Sequence, residues 1–168
     1  MNDGQLYKQF FGRDHMSGVE RDKERITKFA EHFTPEDLAF ESLDKSPKMS
    51  QPGEIVLDPF AGDFTLLCSV VWRKMENGMT YTDALQEVRS GEYHIDNCLV
   101  GIGRLYGPGK IETLQGKDIP ENMKSDGLKA CFKHEGRLLE NHVACDSFIY
   151  DFSFGKKQVF GQGLFTIG

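Results

Sequence analysis

The sequence predicts an α/β fold, built on a mainly parallel sheet flanked by helices. Three short runs containing β-branched residues, IVLD at 55–58, YHID at 93–96 and HVACD at 142–146, carry that prediction, because stretches of helical periodicity separate them. Each run ends in an aspartate. The 168 residues suffice for a single domain, 1–168, with a modest core. Apolar residues make up 39% and charged residues 27%, ordinary values for a water-soluble chain.

Taken in order, residues 1–17 read as irregular, punctuated by Gly4, Gly12 and the pair Phe10-Phe11. A helix from Ser17 or Gly18 to Glu31 would complete an N-terminal helical arm over 1–31. Thr34-Pro35-Glu36-Asp37 then reads as a helix start, with Thr as the cap, Pro in the first turn and acids following. Ser46 to Gly53 is a loop, and Glu54–Leu57 a buried strand. A strong helix follows from Asp63 or Thr65 to about Asn77, where Gly78 stops it. Thr80-Tyr81-Thr82-Asp83 resembles a capping box before a helix reaching Arg89. Glu92–Ile95 is expected as the second strand and Asn97–Tyr106 as the next helix. Residues 107–137 are polar and Gly-rich, and read as an insertion or long connection with one short helix. His142–Cys145 is the third strand, Phe148–Phe154 alternates as a fourth, and the apolar tail packs against the rest.

Composition and charge disfavour several functions. The net charge of −6 and the lack of a basic stripe mean that any grip on DNA is local, weak or shared with a partner chain. The longest apolar run, 64–72, is far short of a membrane span, and the N-terminus does not read as a signal peptide. Cys68, Cys98, Cys131 and Cys145 stand apart with no metal spacing, which suits reduced thiols and a cytoplasmic location. The five histidines form no ligand cluster. GIGRLYG (101–107) fails the dinucleotide spacing and lies on a predicted helix, so its glycines are read as allowing close packing.

In a parallel sheet, ligands bind beyond the carboxyl ends of the strands. Asp58, Asp96 and Asp146 would therefore line one acidic pocket beside the glycine turn at Gly62. Acids suit hydroxyls and ammonium groups and repel phosphates. No lysine follows Gly62 until Lys74, so the loop is not a phosphate cradle. The ligand chemistry that fits is a nucleoside with a cationic tail, such as S-adenosylmethionine.

The residues that carry this pocket also carry a resemblance. HFTPEDLA (32–39), VLDPFAGDFTLL (56–67), YHIDNC (93–98) and NHVACDSFIYDFSFGK (141–156) together resemble the adenine-specific DNA methyltransferases of restriction–modification type, in their compact phage-encoded form. The likeness spans roughly residues 29–155. It implies a Rossmann-like methyltransferase fold and S-adenosylmethionine as cofactor. Phe33, Thr34 and Pro35 would flank the methionine moiety, with Asp58, Ala61 and Gly62 forming the loop beneath it. Asp96 would take the ribose and Asp146 the adenine amine. Asp63 replaces the family's second loop glycine, where it would either bind the α-ammonium group or crowd the carboxylate. His94 replaces a glycine before the ribose acid.

The family's catalytic [DNS]-P-P-[YFW] tetrapeptide is missing, since the six prolines (35, 47, 52, 59, 108, 120) are never adjacent. Asp151, Phe152 and Phe154 are the nearest substitutes, as amine acceptor and stacking rings. Two functions stay open. The chain either methylates the exocyclic amine of adenine, with a partner chain or second copy assisting, or is a catalytically inactive relative acting as an accessory, regulatory or decoy module.

Overall fold

The computed structural model describes residues 1–12, 23–29, 33–146 and 165–167. Within them lie helices α1 (Asp3–Phe11), α2 (Lys23–Phe29), α3 (Glu36–Lys45), α4 (Thr65–Glu76), α5 (Tyr81–Gln86) and α6 (Ile95–Tyr106). The strands are β1 (Ile55–Asp58), β2 (Val88–Glu92), β3 (Ile111–Gln115), β4 (Leu128–His134), β5 (Arg137–Cys145) and β6 (Phe165–Ile167). They form one mixed sheet in the order β3-β4-β5-β2-β1-β6.

The expected mainly parallel sheet is found only at the centre. β1 pairs parallel with β2, and β2 with β5, whereas β3/β4, β4/β5 and β1/β6 are antiparallel. The difference comes from residues 107–137, which are no loose connection. They supply β3 and β4, and a tight turn at Glu135-Gly136, with φ of 50° and 74°, reverses the chain into β5.

Helices α1, α3, α4, α5 and α6 pack together on one face, where Val56, Val88 and Ala144 of the central strands join their apolar side chains. Period-two alternation divides β4 between two cores. Ala130 and Phe132 face the helices, while Cys131 faces a second cluster with Ile119 and Met123. All four cysteines are free and buried. Among the described residues no helix is long and apolar enough to cross a membrane.

Two expectations at the N-terminal side change. Residues 3–11 are helical, opened by a capping box in which the Asn2 side chain accepts from Gln5 N–H and Gln5 reaches back to Asn2 N–H. At α3 the cap position is Pro35, and no side chain caps it. Thr34 is therefore one residue too early. The expected strand at 148–154 lies outside the described residues.

One close approach fixes the helical layer. Phe64 is fully buried in the left-handed region, at φ 67°, and lies against Gly101 of α6. A Cβ at Gly101 would stand 2.2–2.5 Å from the Phe64 ring. Replacing Gly101 by alanine should therefore lower the unfolding free energy by about 1–3 kcal/mol, the usual cost of overpacking a dense core. Urea denaturation checks this, and an unchanged midpoint would contradict the packing.

Candidate functional site

Two segments far apart in sequence meet at the carboxyl end of β1. Phe33 and Thr34, just before α3, share a small hollow with Asp58, Ala61, Gly62 and Asp63 of the loop that leads into α4. The hollow measures about 60 Å³. Gly62 takes a positive φ of 55°, and its Cα side faces the Phe33 ring, which a Cβ would meet at 3.6 Å. Phe33 is buried, so this wall of the hollow is fixed by packing.

Asp58 ends β1 and is almost fully buried, with Oδ1 accepting the Phe60 N–H at 3.0 Å. Burial pushes its carboxyl up from 3.8 to about 6, the Phe60 amide pulls the other way, and the nearby Glu92 carboxylate adds to the rise.

Glu92, not Asp96, is the acid at the end of β2. Its Oε2 accepts Gly62 N–H at 2.7 Å, and its Oε1 accepts His94 N–H at 3.0 Å and Asn97 Nδ2 at 3.4 Å. One carboxylate thus ties the glycine loop after β1 to the start of α6. Sequence reasoning missed it because the strand VRSGE is polar and does not read as central. Ala61 N–H also bonds Gly91 O at 3.0 Å, so the loop lies down on β2.

The other predicted residues fall in different places. Asp96 lies four residues beyond β2, in the first turn of α6, where both oxygens engage Arg25 of α2 at 3.0 Å. The expected strand at 92–95 ends at Glu92, which carries Asp96 away from the strand end. Asp146 directly follows β5, exposed, with its N–H bonded to Gly127 O at 3.0 Å. It stands on the expected edge but does not line the hollow. Asp63 points into the protein, with Oδ1 accepting from the Thr65 hydroxyl at 2.9 Å and Oδ2 standing 3.0 Å from Arg104 Nη1. Both partners are at most 2% exposed. A cofactor's ammonium group therefore does not meet a free carboxylate at Asp63. Pro35 caps α3 without lining the hollow. Asp151, Phe152 and Phe154 lie outside the described residues.

Chemically, the hollow offers one buried acid of raised pKa, apolar walls from Phe33 and Ala61, and backbone of the glycine turn. Its volume holds a few waters or the end group of a ligand, not a whole nucleoside. Phe60 lines the hollow and its ring is exposed. Among the described residues, no group of three or more His, Cys, Asp or Glu side chains is placed to hold a metal ion. No family model, curated protein or solved structure matches the chain.

The raised carboxyl at Asp58 has a signed consequence. Because its folded-state value lies above 3.8, the protonated form favours folding, and this contribution is lost as pH rises through about 6. Asp58→Asn should therefore stabilise the protein by about 2–3 kcal/mol at pH 8 and by little at pH 4, since each tenfold change in proton affinity is worth about 1.4 kcal/mol. Denaturant titrations at the two pH values check the difference. A pH-independent effect would contradict it.

Proposed function

We propose that the chain binds S-adenosylmethionine at the carboxyl end of β1 and acts as a DNA adenine methyltransferase-like protein. The observation that carries this reading is the meeting of Phe33-Thr34 with the Asp58–Gly62 loop in one hollow. The buried Phe33 ring packs against Gly62, and burial raises the Asp58 carboxyl between the two segments. A carboxyl whose pKa burial raises in a concave site is a candidate functional position. On this reading Phe33 and Ala61 hold the apolar part of the cofactor's tail, and Asp58 accepts a hydrogen bond from a hydroxyl or ammonium group. Glu92 keeps the loop in place through Gly62 N–H, as a positioning residue. Of the mainly parallel sheet expected from the resemblance, only the β1/β2 and β2/β5 pairs are parallel among the described residues. The finer assignment to a Rossmann-like fold rests on the motifs.

When bound, S-adenosylmethionine supplies a methyl group that passes to the adenine amine as the amine loses a proton and the sulfonium becomes a thioether. Asp151, with Phe152 and Phe154 as stacking rings, is the candidate to receive that amine. DNA binding by a chain of net charge −6 would need a partner chain or a second copy.

The second reading is a cofactor-binding relative without catalysis, serving as an accessory, regulatory or decoy module. The specific observation favouring it is the absence of adjacent prolines, so that no Pro-Pro pair fixes the backbone acceptor the family uses. Calorimetric titration with S-adenosylmethionine and S-adenosylhomocysteine tests the shared part. Asp58→Asn is expected to weaken both by about ten-fold or more, the worth of one hydrogen bond to a charged group. Asp96→Ala is expected to change neither appreciably, since Asp96 is paired with Arg25 away from the hollow. No heat from either ligand at about 1 mM, near −4 kcal/mol of binding, would end both readings. Binding without methyl transfer to duplex DNA, with candidate partners added, would select the second.

A further inference from the structure

A second cavity lies at the other ends of the strands. It measures about 260 Å³ and is formed where α5 meets the first residues of β5. An irregularity in the sheet opens it. Phe132 of β4 pairs with Leu139 of β5, yet the next residue, Cys131, pairs with Val143. β5 therefore advances four residues while β4 advances one, and Glu140, Asn141 and His142 have no partner on β4. Bulges of this kind re-aim side chains and are over-represented beside binding sites.

The cavity has an apolar floor and a polar rim. Leu85 and Leu139 are buried, and the rings of Tyr106 and His134 stand 5.8 Å apart at 39°. Tyr106 is fixed from behind, its hydroxyl 2.9 Å from His142 Nε2. On the rim, the side chains of Gln86, Arg137 and Glu140 are exposed and make no hydrogen bond or ion pair among the described residues. Arg137 and Glu140, opposite in charge and on one rim, do not pair with each other. Burial pushes the Tyr106 phenol up, Tyr81 adds to the rise, and the guanidinium groups of Arg137 and Arg89 pull against it.

We propose that this cavity binds a free aromatic α-amino acid, with its ring on the Tyr106–His134 floor, its carboxylate on Arg137 and its ammonium group on Glu140. The volume lies below the roughly 300–1,000 Å³ of drug-sized sites and suits about a dozen non-hydrogen atoms. A lone anion would leave Glu140 facing it, and a lone cation would leave Arg137. Only a zwitterion answers both. This inference does not rest on the function proposed above, because Asp58 stands at the opposite ends of the strands.

Ligand-observed NMR titration with L-phenylalanine, 3-phenylpropionate and phenethylamine tests it. L-phenylalanine should saturate at millimolar concentration or below, and each singly charged analogue should bind about ten-fold more weakly, one lost ionic contact. Arg137→Gln should erase the advantage of L-phenylalanine over phenethylamine, and Glu140→Gln its advantage over 3-phenylpropionate. Both positions are exposed, so unchanged melting temperatures should accompany these losses. Asp58→Asn should leave all three titrations as they are. The proposal is overturned if L-phenylalanine fails to saturate by about 10 mM. It is equally overturned if the three probes bind alike, or if the two rim variants leave L-phenylalanine binding intact.

Discussion

The guanidinium of Arg104 holds the candidate site together. It is 1% exposed and meets acceptors from two other parts of the chain. Nε donates to Phe10 O of α1 at 2.7 Å, while Nη1 donates to Asp63 O and to Thr65 Oγ1, each at 2.9 Å, and faces the Asp63 carboxylate. Desolvating a guanidinium and a carboxylate costs several kcal/mol apiece, so the pair persists only because most of its donors and acceptors are satisfied. Through it, α1, α6 and the entry to α4 are locked to one point. The loop just before that point is tied to β2 by Gly62 N–H on Glu92 and Ala61 N–H on Gly91 O. Phe64 sits in its left-handed conformation directly beside the lock, and a bulky residue held at positive φ persists only where surrounding packing over-determines it.

The acids of the carboxyl edge show that what a carboxylate can do depends on what its oxygens already bind. Glu92 accepts from two backbone amides, Asp63 faces Arg104, and Asp96 faces Arg25. Each is satisfied within the protein and works as a joint. Asp58 differs, since one amide bond does not offset its burial and its pKa rises to about 6. A charge left uncompensated in a hollow is where an external hydroxyl or ammonium group would lower the free energy most. Of the four acids in this neighbourhood, Asp58 is the one that lines the hollow with a raised pKa.

Much of this was legible in the sequence, and the failures have physical causes. IVLD reads as a buried strand because its neighbours on both sides cover it, and α4 and α6 lie within two residues of where their periodicity places them. The meeting of the F-T segment with the glycine loop was implied by the family resemblance alone. β2 was not legible, because VRSGE is buried by pairing its polar groups rather than by being apolar. Ser90 bonds His142 and Glu92 bonds the loop, contacts between residues up to 52 apart that no local pattern displays. The strand expected at 92–95 ends at Glu92, so Asp96 falls in the first turn of α6 instead of at a strand end. The hairpin of β4 and β5 was hidden for a different reason. Its turn uses Glu-Gly, where the strong signals are Asn-Gly and Asp-Gly, since glutamate lacks the short side chain that eases a left-handed backbone.

The core histidine explains how one sheet can keep two ends chemically separate. His142 is fully buried on the helical side of β5, between Ser90 Oγ at 2.8 Å from Nδ1 and the Tyr106 hydroxyl at 2.9 Å from Nε2. Burial, with Arg89 nearby, pushes its pKa down to about 3, so the ring is neutral at physiological pH. Burial also pushes the Tyr106 phenol up, which keeps its proton in place as a donor. Nε2 is then the acceptor, and the ring's proton sits on Nδ1, directed at Ser90 Oγ. A Ser–His–Tyr chain of this kind resembles a proton relay in outline only. Its imidazole has no solvent access and a pKa too low to take a proton near neutrality, so it acts as a fixed bracket between β2, β5 and α6. Because both nitrogens are engaged, Tyr106 is held rigid at the floor of the amino-end cavity. Protonation events at Asp58, on the carboxyl edge, have no relay through this bracket to that cavity.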